Sequence, residues 1–127
     1  MDEDKLYKKL KEIKTEDFIW IIYIGIIFLS WYANDLEKNF FIFKNEESKN
    51  KYRHVMILIF SVLVIIYLYF LKDSWDSFKN IDKVNNKKTK ELITLSFIAS
   101  LLIFISGIIF LYIAFKDENL DVELAFN

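Results

Sequence analysis

LITLSFIASLLIFISGIIFLYIAF, residues 92–115, runs for 24 residues without a charged side chain. As a helix it would extend roughly 36 Å, enough to cross the ~30 Å hydrocarbon layer of a bilayer. Two more stretches read the same way: FIWIIYIGIIFLSWYA at 18–33 and VMILIFSVLVIIYLYFL at 55–71. The charges gather in the four gaps between and beside them. A soluble fold of similar apolar content would interleave polar and apolar positions with the period of its helices or strands instead. The sequence therefore predicts an all-α membrane protein: three transmembrane helices with a short N-terminal amphipathic interfacial helix.

The segments left between the spans are short, so residues 1–127 read as one integral membrane domain. Its parts are a leader over 1–17, spans over about 18–33, 55–71 and 92–115, and an acidic tail over 116–127. With no cysteine in the chain, disulfides, thiolate metal sites and cysteine nucleophiles are excluded. The charge balance of 17 basic against 18 acidic residues gives no footprint for nucleic acid. Abundant Ile, Lys, Asn and Phe fit an AT-rich, bacterial genome.

In the leader, Leu6, Leu10 and Ile13 recur at helical spacing, and Lys5, Lys8, Lys9, Lys11 and Lys14 fill most other directions. Such a helix lies in the headgroup plane with its lysines near anionic lipid. Lys8 and Lys9, with Lys87, Lys88 and Lys90 before the third span, are the expected anionic-lipid contacts. Thr15-Glu16-Asp17 has the form of a fresh helix start, because acids in a first turn meet exposed N–H groups. The reading places a bend there. The acids of the leader and the bulky Trp31 near the span's exit argue against a cleaved signal peptide. The first span is expected to be a retained anchor.

Rings near span ends read as interface anchors: Trp20, Trp31, Tyr32, Trp75 and Tyr112. The connector from Asn34 to Arg53 carries a patch, Phe40 to Phe43, too short to cross a bilayer. Asn45-Glu46-Glu47 offers a helix start. Leu71, Trp75 and Phe78 keep a helical face beyond the second span, so that helix should protrude by about two turns, and Asn85-Asn86 should turn the chain back. There is no proline, and the two glycines, Gly25 and Gly107, both fall inside spans. Gly25, and a small-residue stripe on the third span made of Ser96, Ala99, Ser100, Ser106, Gly107 and Ala114, are the expected helix-packing positions.

Basic residues favour the cytoplasmic side. The N-terminal segment and second connector together hold eleven, the first connector and tail six. That bias places the N-terminus inside and the C-terminus outside the plasma membrane. In the tail, Leu120, Val122, Leu124 and Phe126 alternate with Asn119, Asp121, Glu123 and Ala125, which suits an extended strand added to a partner's sheet, or an unstructured end.

No catalytic, cofactor-binding or metal-binding pattern emerges. His54 is the only histidine. Asp73 and Asp76 share a helix face, but the further acids and glycine-rich or basic elements of a magnesium–diphosphate site are missing. Phosphate loops and HExxH are absent. No residue charged at neutral pH lies within the spans, where proton relays and ion pathways place ionisable groups. The expectation is a small non-enzymatic membrane protein, without cofactor. It would act by helix–helix contact with itself or a larger membrane partner, with the lipid bilayer as its surroundings and no nucleic acid. An immunity-type protein against a membrane-active toxin and an oligomeric holin-like pore are the alternatives.

Overall fold

The computed structural model describes residues 2–124. They form three long helices: α1 (Glu3–Phe43), α2 (Glu46–Lys79) and α3 (Lys87–Lys116), with one 3-10 turn, Ile81–Lys83, between α2 and α3. There is no strand among the described residues. Each of the three helices is long and apolar enough to cross a membrane.

The helix starts follow side-chain chemistry. The Asp2 carboxylate accepts from Lys5 N at 2.8 Å. The Asn45 side-chain oxygen accepts from Glu47 N and Ser48 N, and that of Asn86 from Lys88 N and Thr89 N. Each cap satisfies amides that would otherwise lack an intrahelical partner. α2 does run past its apolar stretch to Lys79, and the chain turns back before Asn86.

Two local readings are corrected. No helix begins at Thr15, because α1 is already running there and Thr15 Oγ1 donates back to the Lys11 carbonyl at 3.1 Å. Once a helix is running, acids at Glu16 and Asp17 meet no exposed amides, so their start signal is void. Nor is Asn34–Phe43 a loop. With no proline or glycine to interrupt it, α1 continues to Phe43, and Ala33 and Leu36 stay buried on its inner side. The link to α2 is only Lys44 and Asn45, with Lys44 in the left-handed region (φ 51).

α2 lies in the middle. α1 and α3 each pack along it in antiparallel fashion and barely touch one another. The burial is uneven along the axis. Buried positions on α2 stop at Ile66, those on α3 are Gly107 and Ala114, and on α1 only Ile19 precedes Ile26. At one end Ile26, Ala33 and Leu36 close on Met56, Ile59, Phe60 and Leu63 as a continuous core. At the other end the flanking helices part.

The tail closes the packed end rather than extending away from it. Asp117 accepts from Asp121 N and Val122 N at 3.0 and 2.8 Å. Leu120 adopts a left-handed backbone (φ 56), and Leu124 is buried in the core. The alternation expected of a strand is therefore broken at Leu120, while Phe126 lies outside the described residues.

Candidate functional site

The seam between α2 and α3 explains what half of the small-residue stripe does. Ser100, Gly107 and Ala114 recur every seven residues, the repeat that keeps one helix facing another. Ser74 and Ser100 share a hydrogen bond at 2.8 Å. Seven residues further along each helix, a Cβ added to Gly107 would stand 2.9 Å from Tyr67 Cδ2 and 3.3 Å from Val64 Cγ2. Next, Phe60 stacks on Phe110 with centroids 5.5 Å apart. At the end of the seam, Arg53 Nη2 donates to the Phe115 carbonyl at 2.8 Å, a cation at the negative end of α3. Its Nε is buried without a hydrogen-bond partner.

The other expected packing residues fall elsewhere. Ala99 and Ser106, also seven apart, point away from α2 and are exposed. Among the described residues, nothing beyond its own stretch of helix backbone lies within 4 Å of a Cβ placed on Gly25. Ser96 lines a cleft. Among the expected ring anchors, Trp20 meets Tyr23 edge-on, and Trp31, Tyr32 and Tyr112 are exposed. Lys116 Nζ sits 5.9 Å over the Tyr112 ring. Trp75 packs on Phe78 and Phe97, whose own rings stack at 5.0 Å. Lys8, Lys9, Lys87 and Lys88 are exposed, and Lys90 is half-buried.

The cleft is the feature that sequence reading missed. It opens where α1 and α3 part, with α2 as its floor. Tyr23 of α1, Tyr67 and Phe70 of α2, and Ser96, Ser100 and Ile103 of α3 line an open chamber.

 About 310 Å3 between these walls admits a water-sized molecule. A second chamber of about 230 Å3 adjoins it, edged by Ser77, Thr89, Leu92 and Ile93. On the α1 side lies a groove of about 500 Å3 with Lys8, Lys11, Glu12, Lys72 and Asp76 on its rim. Asp73 borders all three.

Asp73 is an unusual acid for this position. Asp76, one turn on, pairs with Lys79 at 3.3 Å. Asp73 has no ion pair among the described residues, and neither do Lys8, Lys11, Glu12 or Lys72. Partial burial pushes the Asp73 carboxyl above its ordinary 3.8, and the neighbouring charges of Glu12 and Asp76 push it further, against the opposing pull of Lys9 and Lys8. The rim therefore holds acids and bases side by side without letting them neutralise one another at close range.

Higher in the cleft the chemistry changes. The Tyr23 and Tyr67 hydroxyls and Ser96 Oγ have no hydrogen-bond partner among the described residues, while Phe70 and Ile103 supply apolar wall. The spacing that builds this surface is visible after the fact: Tyr67, Phe70, Asp73, Ser74 and Ser77 follow one face of α2, and Ser96 and Ser100 follow one face of α3. What the sequence does not carry is that α1 and α3 part there. Among the described residues no group of acids, histidines or cysteines is placed to hold a metal ion. No protein-family model, curated protein or solved structure matches the chain.

Proposed function

We propose that the chain is an integral, multi-pass protein of the plasma membrane, with its N-terminus in the cytoplasm and its C-terminus outside. It acts without catalysis, by lateral helix contact with itself or with a larger membrane partner. The observation that supports this reading is the arrangement about α2. The two flanking helices use one side each for internal packing and leave the rest of their circumference to their surroundings. On α3 that free side carries Ala99 and Ser106, where a second helix backbone can approach closely. Leu95, Leu102 and Ile109 beside them are exposed and apolar, as expected of a surface that meets lipid or another helix.

Insertion is tested by fractionation: the chain should pellet with membranes and need detergent for release. Contact is tested with photoreactive benzoylphenylalanine placed at Ala99 or Ser106. Irradiated membranes should give a protein adduct of defined size from both positions. The same group at Tyr7, on the exposed leader, serves as the comparison. Lipid adducts alone at both α3 positions would refute the contact.

A further inference from the structure

The packed tail, the exposed apolar face of the leader and the cleft with its mixed-charge rim all lie apart from the Ala99–Ser106 face of α3. The cleft carries an inference furthest, because its geometry, its charge and its depth point the same way.

We propose that the cleft between α1 and α3 binds one phospholipid with a zwitterionic ethanolamine head, its ammonium at Asp73, its phosphate at Lys11 and Lys72, and its acyl chain along Tyr67. The inference rests on the bilayer placement proposed above.

Depth selects the kind of occupant. From Leu92 to Ile103 the two chambers follow α3 for roughly 16 Å at 1.5 Å per residue, about half of the hydrocarbon thickness. A docked transmembrane helix needs a groove through the whole bilayer, and here the packed end blocks it. A lipid of one leaflet needs only half. The polarity runs in the same sense, from the charged rim at Asp73 to the wall at Ile103.

Charge selects the head. A purely anionic lipid would be repelled by Asp73, Glu12 and Asp76, and a purely cationic amphiphile by Lys8, Lys11 and Lys72. A head carrying both signs satisfies both sets. The groove of about 500 Å3 between them leaves room for it. An ammonium with N–H donors makes charge-assisted hydrogen bonds to a carboxylate, which a trimethylated choline head does not.

The test uses the full-length protein, purified in mild detergent and examined by native mass spectrometry after exposure to equimolar ethanolamine, choline and glycerol phospholipids of matched chains. The wild type should retain one ethanolamine lipid in preference to the others. Asp73→Asn should reduce that preference about tenfold, the loss of one charge-assisted contact, whereas Lys11→Gln with Lys72→Gln should lower retention of all three lipids, which share the phosphate. Soluble phosphoethanolamine, which lacks the chain, should displace nothing. Preference for the glycerol lipid, equal retention of all three, an unchanged preference in Asp73→Asn, or displacement by phosphoethanolamine would each overturn the inference. Helicity measured on each variant separates lost binding from lost fold. A chain that stays out of the membrane pellet would instead sink the placement on which the inference depends.

Discussion

Gly107→Ala offers the sharpest test of the α2–α3 seam, with Gly25→Ala as its matched control. Both glycines lie within helices, so each alanine gains about 1 kcal/mol of helix propensity. At Gly25 no described residue beyond the helix's own backbone stands within 4 Å of the new methyl, and the gain survives. At Gly107 the methyl would meet the Tyr67 ring at 2.9 and 3.2 Å and Val64 Cγ2 at 3.3 Å. Carbon pairs prefer about 3.5–4.0 Å, so the contact must open by roughly half an ångström. Tyr67 can turn partly into the cleft. Val64 is branched close to the backbone and yields less. Overpacking of this kind costs about 1–3 kcal/mol. The two alanines should therefore differ in stability by about that amount, with Gly107→Ala the weaker. The assay is unfolding by a denaturing detergent, followed by far-ultraviolet circular dichroism. Combining Gly107→Ala with Tyr67→Ala should recover part of the loss, as a direct contact requires. Equal effects of the two alanines, or no recovery in the double variant, would refute the seam.

Glu16→Pro would be welcome as the first residue of a new helix, but inside the continuous α1 it should cost about 3 kcal/mol or more; undiminished stability would restore a break at Thr15. Asp73 holds its proton more tightly in the folded chain, chiefly through partial burial, then through Glu12 and Asp76 against Lys9 and Lys8. Lys8, Lys11, Glu12 and Lys72 share its groove, and α3 presents Thr89, Ser96 and Ser100, all uncharged, to its other chambers. Wild-type stability should therefore fall as pH rises through the raised native value, and Asp73→Asn should be the more stable form at neutral pH. The gap should close below the unfolded value, and a gap that widens on acidification would contradict the assignment. Leu124→Ala should lower stability by about 2 kcal/mol, the low end for a buried leucine, read in the same denaturation assay; no change would show that the tail does not close the packed end.

The parts of this fold that could be read from the sequence are those set by local chemistry. Long uncharged runs gave the three helices, and Asn45 supplied a cap because an asparagine before two acids is a start signal wherever no helix is already running. The same logic misled at Thr15, where the signal sat inside a helix. It failed again at Asn34–Phe43, where charged residues suggested a loop but Ala33, Leu36 and the absence of breakers kept α1 intact. The stripe on α3 was visible as composition. Its division, with Ser100, Gly107 and Ala114 turned to α2 and Ala99 and Ser106 turned away, depends on the register between two helices. The cleft at Asp73 was out of reach for a related reason. It is made by the parting of α1 from α3, which are far apart in the chain and share no pattern that announces where they separate.

The two-residue link at Lys44 and Asn45 also bears on how the chain is made. With so little slack, the far ends of α1 and α2 travel as one object, and neither helix can settle across a bilayer while the other lags. The segment around that link carries Lys38, Lys44, Lys49, Lys51 and Arg53, yet it shelters Leu36 and Tyr52 from water by mutual packing. Translocation of this charged head is then a single concerted passage of a helical hairpin, and lengthening the link with flexible residues should let the two helices insert one after the other.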